Sequence, residues 1–341
     1  MCIRDRYRDD YELNYVQQYD PLAKYRRMLI RYNRFTEEEI VAMEEEAKEI
    51  VREAHRAAMK APDPDPASIF DYVIPEPYES EKYPDGLHDH KGEPKKLIEA
   101  LNETLIAEFR HNPDTYIWGQ DIAHKEKGGI FNVTKGMQQE FGRERVFNAP
   151  IAEDFIMGTA NGMSRFNEKL RIVVEGAEFA DYFWPAMEQL VDSSHDYWRS
   201  NGKFAPNVTV RLASGGYIGG GLYHSQTIEG VLTTFPGIRV VYPSYADDAA
   251  GLLRTSIRSR GITLFLEPKA LYNAPRTATP IPDDFEVPFG KARIRHSGKD
   301  VSLITYGNTT PMCVEVAEKL SKEGTCLLYT SDAADEEDSV D

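Results

Sequence analysis

Cysteine is scarce in this chain: three residues in 341, Cys2, Cys313 and Cys326. So few scattered thiols make neither a disulfide framework nor a zinc site. Long apolar runs are missing too, and nothing approaches the roughly 18 residues of a membrane-spanning helix. There is no positive excess, since 40 Lys and Arg stand against 56 Asp and Glu for a formal net charge of −16. Nucleic acids and anionic membranes select basic surfaces, so neither is expected as the main partner. No internal repeat is visible. What remains is a chain with 41% hydrophobic and 28% charged residues, an ordinary globular composition, long enough for about two domains.

The two ends differ from the rest. Met1-Cys2-Ile3-Arg4-Asp5-Arg6 and Cys326-Leu327-Leu328-Tyr329-Thr330 are encoded by opposite strands of one short DNA segment, the transposon end used in preparing sequencing libraries. Residues 1–6 and 326–341 are therefore set aside from fold reasoning as scars. The natural protein is expected to continue beyond both ends. That leaves Cys313 as the native cysteine, which fits a reducing compartment.

Between the ends, the pattern changes three times. Residues 21–61 predict two helices. Asp20-Pro21 starts the first, and Thr36 with Glu39 forms a capping box for the second. Ile40, Met43, Ala47, Ile50, Val51 and Ala54 follow at helical spacing, the pattern of a segment that packs and carries no chemistry. Residues 62–94, rich in Pro, Asp and Glu, read as an extended linker. His88-Asp89-His90 within it reads as solvated chain rather than a metal site. From 95 onward, helices alternate with short apolar runs. Strands are predicted at 116–118, 171–175, 208–212, 238–242 and 262–266. Helices are predicted near 153–166, 183–199 and 245–259, the last capped by Ser244 with Asp247. This is the α/β signature of a parallel sheet covered on both faces. A Pro-rich stretch at 276–288 marks a second boundary. Strands at 291–295 and 301–306 and a helix at 311–322 then begin another α/β domain.

Three segments fall where open α/β sheets bind ligands, at the carboxyl ends of strands. In Asn148–Gly158, the acidic pair Glu153-Asp154 opens a helix. That is either simple dipole compensation or a site. In Glu178–Pro185, Phe179, Tyr182, Phe183 and Trp184 are either core or a stack for a flat heterocycle. In Gly215–Gln226, five glycines in seven positions lead to His224. The loop lacks the Lys-Ser/Thr ending of a P-loop. A histidine closing a glycine loop is a better acid–base candidate than a core histidine.

These segments, in this order, resemble the β subunit of branched-chain 2-oxo acid dehydrogenase and its pyruvate dehydrogenase relatives, the thiamine-diphosphate-dependent decarboxylating components. Gly119-Gln120-Asp121, Gly128-Gly129-Ile130-Phe131, Phe141–Val146 and Glu267–Tyr272 fit as well. The resemblance covers about 95–325, and residues 20–75 resemble the C-terminal tail of the α subunit. It implies a single-chain α–β fusion with an α-like helical tail at 7–75 and a linker at 76–94. A transketolase-like pyrimidine-binding domain would follow at 95–275, then the start of a transketolase C-terminal-like domain at 289–325.

The resemblance also implies roles. Glu153 matches the glutamate on the cofactor's aminopyrimidine nitrogen, Tyr182 the aromatic packed on that ring, and His224 the histidine that assists acyl transfer, with Gln226 beside it. A structural potassium would involve main-chain oxygens of Val208, Thr209, Ser256, Ile257, Ser259 and Gly261. Relatives carry an acid at the position of Ser259 and an amide at that of Gly261. The Gly-Asp-Gly…Asn motif that holds Mg²⁺ and the diphosphate is missing, and Pro84-Asp85-Gly86 is no substitute. The expected activity is oxidative decarboxylation of a branched-chain 2-oxo acid, with pyruvate as the runner-up. The expected partners are a lipoyl-bearing dihydrolipoyl acyltransferase and the α portion of the same enzyme, in a cytoplasmic, bacterial, multienzyme setting with a homodimeric fusion. A transketolase or deoxyxylulose phosphate synthase is disfavoured by the α-like tail. A non-catalytic scaffold is disfavoured by Glu153, Tyr182 and His224 occurring together.

Overall fold

Apolar runs with β-branched residues pair side by side along most of the chain's second half, and that pairing organises the molecule. A computed structural model describes residues 10–84, 90–124, 126–324 and 327–331. The chain divides into two units, Met1–Ile69 and Phe70–Asp341.

The first unit is helical: α1 (Asp10–Tyr19), α2 (Pro21–Arg31) and α3 (Glu37–Lys60). Asp20 accepts the Leu22 and Ala23 amides at 2.8 and 3.1 Å, and Pro21 occupies the first helical position, where its missing N–H costs nothing. Thr36 and Glu39 form the expected reciprocal capping box, with bonds of 3.2 and 2.8 Å. The predicted apolar stripe of α3 is present, yet Ile40 alone of it is buried. Met43, Ile50 and Val51 are exposed, so the expectation that this segment packs is not met by the rest of the stripe.

The second unit opens with a strap rather than a free linker. Pro75 and Ser80 are buried, the Tyr78 amide donates to Ser259 Oγ at 3.0 Å, and Tyr83 packs edge-on against Phe285. The acidic, proline-rich composition hid this, because the strap is held by main-chain groups and two tyrosines rather than by an apolar run. The imidazole of His90 is buried against Phe285 and lies 3.8 Å from Asp247, so it is not solvated. Residues 85–89, with the rest of the imagined metal motif and Asp85-Gly86, lie outside the described residues.

Six strands follow: β1 (Thr115–Gly119), β2 (Val146–Asn148), β3 (Arg171–Ala177), β4 (Asn207–Ser214), β5 (Ile238–Val241) and β6 (Gly261–Pro268). They form one sheet in the order β2-β1-β3-β4-β6-β5, with every pairing parallel. Helices α4 (Leu97–His111), α5 (Glu153–Phe166), α6 (Met187–Ser194) and α7 (Ala246–Arg258) cover it. Alternation along the strands divides the core into two layers. Ile172 and Val174 join Ile156, Ala160 and Leu190 on one face. Val173 joins Leu101, Phe109, Leu252 and Leu253 on the other. Arg145, in a motif shared with the resembled family, has a structural role: its guanidinium donates to the carbonyls of Phe109, Asn112 and Thr115, which closes the end of α4.

The predicted cap of α7 is not formed. Ser244 gives its hydroxyl to Thr310 at 2.7 Å, and Asp247 binds Thr279 and Arg293. Tertiary partners outcompete the local cap, and Tyr245 takes the capping position without a side-chain bond. The predicted helix at 183–199 is broken into short turns and α6, with Pro185 inside one turn.

Beyond residue 290, β7 (Arg293–His296), β8 (Val301–Thr305) and β9 (Leu327–Ser331) form a second sheet in the order β7-β9-β8, with α8 (Thr310–Lys322) beside it. Residues 327–331, set aside in the sequence reading, are the middle strand here, antiparallel to β7 and parallel to β8. Their backbone groups fill the ladder that two neighbouring strands leave open.

Candidate functional site

In the order β2-β1-β3, the chain leaves β1 toward one side of the sheet for β2 and returns on the other side for β3. The carboxyl ends of β1 and β3 therefore flank a topological switch point, the usual ligand crevice of an open α/β sheet. Gln120 directly follows β1 there, and Glu153 is the first residue of α5, after β2. Gln120 Nε2 donates to Glu153 Oε1 at 2.7 Å, a buried bond that fixes the carboxyl. Glu153 is 9% exposed, which is costly for a carboxyl group unless the helix N-terminus and a hydrogen bond support it.

The remaining predicted residues form a cluster above β3, β4 and β6. The His224 ring stands edge-on to Phe179, with centroids 4.4 Å apart, and to Tyr182 at 5.4 Å. Tyr182 is 42% exposed, so it is no core aromatic, whereas Phe183 is fully buried. His224 Nδ1 is buried without a hydrogen-bond partner. Native structures rarely leave a polar atom in that condition, and a catalytic role is one reason for it. The Gln226 side chain is exposed, and the residue's carbonyl accepts the Gly215 amide at 3.0 Å.

Glycine is required at both ends of this loop. Gly215 has φ +85°, and a Cβ there would lie 2.6 Å from Asn308 Nδ2. Gly221 has φ 74° and ψ −164°, a region closed to side chains.

The sequence reading assigned no role to Gln120, Asp181 or Lys269. Asp181 Oδ2 accepts the amides of Ser225 and Gln226, both at 3.1 Å. Lys269 Nζ donates to the His224 carbonyl at 2.8 Å and lies 4.8 Å from the centre of the Phe179 ring. Burial pulls the Lys269 ammonium down to about 8, opposed by Asp181. The available signal was a lone acid inside an aromatic run, which needs a partner when buried. Glu178, also past β3, has a carboxyl raised by burial and then by Asp121.

Beneath this rim, Arg211 on β4 binds Glu267 through two bonds, Nε to Oε1 at 2.6 Å and Nη2 to Oε2 at 3.0 Å. Tyr272 OH donates to the same carboxylate at 2.6 Å. Glu175 on β3 is 3.3 Å from Arg211 Nη1. Burial pushes its carboxyl up to about 7; Arg211 opposes this, and Glu267 adds to it.

The residues expected to hold potassium fall at the start of β4, the end of α7 and the start of β6. Ser256 and Ser259 direct their hydroxyls to the Leu252 and Thr255 carbonyls. Arg239 Nη1 donates to the Arg260 carbonyl at 2.7 Å and lies 3.1 Å from where a Cβ on Gly261 would stand. A guanidinium at this point disfavours a second cation. Among the described residues, no group of three or more His, Cys, Asp and Glu side chains is arranged to hold a metal.

Three family models match the chain in succession: "Dehydrogenase E1 component" at residues 4–67, "Transketolase, pyrimidine binding domain" at 93–275 and "Transketolase, C-terminal domain" at 290–327. The chain is 35% identical over 228 residues to the 2-oxoisovalerate dehydrogenase β subunit of Bacillus subtilis, covering 67% of this chain and 68% of that one. It is 38% identical over 239 residues to the protein of the same name from Pseudomonas aeruginosa, covering 65% and 67%. It is 35% identical to the pyruvate dehydrogenase E1 β subunit of Staphylococcus aureus, covering 67% and 69%. Among solved structures, "Split gene transketolase, inactive beta4 tetramer" matches with a TM-score of 0.52 at 20% identity over 70% of each chain, a likeness of fold.

Proposed function

The chain belongs to the thiamine-diphosphate-dependent E1 components of 2-oxo acid dehydrogenases, β type, and from that premise we propose that it serves oxidative decarboxylation of a branched-chain 2-oxo acid with acyl transfer to a lipoyl group. The family is one of oxidoreductases whose E1 components work with an α subunit and an acyltransferase. An E1-type segment ahead of the pyrimidine-binding domain fits an α–β fusion. The proposed partners are therefore the α portion of the same enzyme and a lipoyl-bearing dihydrolipoyl acyltransferase, in a dimer of the fusion.

The observation that carries the reading is the buried Glu153 carboxyl, held by Gln120 at the switch point of the sheet. It fits an aminopyrimidine: a carboxyl at the crevice, a half-exposed tyrosine face and a histidine with a buried, unpartnered nitrogen. When bound, thiamine diphosphate supplies the electron sink for decarboxylation. Gln120 donates to Glu153 Oε1, so Oε2 would be the oxygen offered to the cofactor's ring nitrogen for proton exchange. Tyr182 offers a face to the heterocycle. His224, held between Phe179 and Tyr182, offers an imidazole proton for the acyl-transfer step. Magnesium ligands are assigned to the α portion rather than to this chain.

Pyruvate is the second reading, favoured by a pyruvate-type relative at 35% identity. The relatives are bacterial enzymes, which supports a cytoplasmic placement, and no helix among the described residues is long and apolar enough to cross a membrane. The test is an assay of the complete enzyme with thiamine diphosphate and Mg²⁺, comparing 3-methyl-2-oxobutanoate with pyruvate. Preference for the branched acid is expected. In the same assay Glu153→Ala should cost at least 100-fold in kcat, on the order of a lost general acid–base group, and undiminished decarboxylation would remove Glu153 from the mechanism.

A further inference from the structure

The glycine loop ends in a main-chain segment whose polar groups are held from below by two side chains of opposite charge. Asp181 sits in the turn Ala180–Tyr182 after β3, and it is 8% exposed. One of its oxygens, Oδ2, receives both the Ser225 and the Gln226 amide. Lys269 begins the turn Lys269–Leu271 after β6, is 4% exposed and donates to the carbonyl of His224. Three consecutive residues, His224 to Gln226, are thus gripped through the backbone. The side chain of His224 is left to meet Phe179 and Tyr182. The arc is closed by the Gly215 amide on the Gln226 carbonyl at 3.0 Å and by Ser225 Oγ on the Gly221 carbonyl at 2.6 Å, whereas Tyr217, Leu222 and Tyr223 are exposed.

A backbone grip of this kind has a particular use. It fixes where the Cα of residue 224 stands without consuming the imidazole's own nitrogens, and Nδ1 is indeed unpartnered. An anchor through the imidazole would fix its tautomer and tie up a nitrogen needed for proton transfer. The second Asp181 oxygen, Oδ1, is also buried without a partner. A carboxylate buried in that way is poorly explained by packing alone, since leucine would fill the space without desolvating a charge.

We propose that Asp181 is the positioning residue of the site: with Lys269 it clamps the backbone of residues 224–226, and this clamp holds the His224 imidazole where acyl transfer needs it. The clamp is a statement about this chain's geometry. Its use in acyl transfer rests on the function proposed above.

The experiment is amide hydrogen exchange across residues 215–228 of the full chain, with β4 as the internal control for folding. Asp181→Leu removes the acceptor, so the Ser225 and Gln226 amides should exchange on the order of 10–100-fold faster, as for a lost bond to a charged group. Exchange along β4 should not change. Asp181→Asn keeps an acceptor oxygen and should restore most of the protection. Equal protection at Ser225 and Gln226 in the wild type and the Leu variant, with β4 intact, overturns the clamp. If Asp181→Leu fails to fold, Asp181→Ala decides, since it also removes the acceptor: a rise confined to Ser225 and Gln226 supports the clamp, and no rise overturns it. In the complete enzyme, the same series should lower kcat in the order Asn before Leu, with KM changed less than about twofold. Faster exchange with kcat unchanged overturns the positioning role. A wild-type enzyme that decarboxylates no 2-oxo acid would instead overturn the proposed function, and the exchange result would still decide the clamp.

Discussion

Two charged clusters lie one above the other at the carboxyl edge of the sheet, and they are built on opposite principles. In the lower one, Arg211 is bonded twice to Glu267, Tyr272 caps the same carboxylate, and Glu175 presses in from the neighbouring strand. Side chain meets side chain on rigid strands, so charge is balanced in place. In the upper one, Asp181 and Lys269 spend their polar atoms on the backbone of a glycine loop. The lower cluster ties β3, β4 and β6 together, whereas the upper one holds the end of an exposed glycine loop. Buried charge thus has two uses in one fold: scaffold where it pairs across strands, and positioning where it grips main chain.

The largest effect should come from removing the scaffold's cation. Arg211→Met leaves Glu175 and Glu267 buried without a counter-charge, which costs roughly 3–5 kcal/mol for a broken buried pair. Urea unfolding at neutral pH would show it. The loss should shrink in acid, because Glu175 is then buried neutral. A loss under about 1 kcal/mol at neutral pH would mean that the lower cluster is no scaffold.

Glu175 gives the next effect, and its sign follows from burial, with Glu267 adding to it. Glu267 already neutralises Arg211, so burial raises the Glu175 carboxyl from the usual 4.5 to about 7. A carboxyl raised on folding contributes stability that is complete below its unfolded value of 4.5 and is lost as pH rises through about 7. The wild type should therefore lose up to roughly 3 kcal/mol from this group between about pH 5 and 8. Glu175→Gln should flatten that part of the profile and be the more stable protein at the alkaline end. Parallel pH profiles for the two proteins would assign the titration elsewhere.

The two clusters also mark how far the sequence could be read. Local features were legible: Asp20-Pro21, the Thr36–Glu39 box, the helix beginning at Glu153 and every long strand of the sheet follow from short-range periodicity and capping chemistry. The three-residue strand Val146–Asn148 was too short to show a period. The Asp10–Tyr19 helix lies in the helical tail that the resemblance implied, but periodicity did not place it, because its mixed polar and aromatic residues show little amphipathic order. Ser244 and Asp247 mimicked a cap that tertiary partners took away. The resemblance pointed to Glu153, which lies beside Gln120 at the end of β1, and to Tyr182 and His224, whose rings meet after β3 and β4. Arg211 lies 56 residues from Glu267, and Asp181 lies 44 from the Ser225 amide it accepts. No spacing rule reaches that far, and backbone amides leave no mark in composition.

Lys269→Met separates the two principles with the smallest change in stability. Burial lowers the Lys269 ammonium to about 8, so the charged form is disfavoured by folding despite Asp181. A lysine lowered in this way makes the folded state gain stability as pH rises from about 8 toward its unfolded value of 10.5. The Met variant should lack that rise, and near neutral pH it should unfold within about 1 kcal/mol of the wild type. The His224 carbonyl nevertheless loses its donor, so limited proteolysis of the exposed arc at Tyr217–Tyr223 should quicken severalfold. Stability and loop protection then part company at the upper cluster, whereas Arg211→Met lowers stability first. If Lys269→Met instead destabilised the fold as much as Arg211→Met and left proteolysis of the arc unchanged, Lys269 would belong to the scaffold, and the grip on the loop would rest on Asp181 alone.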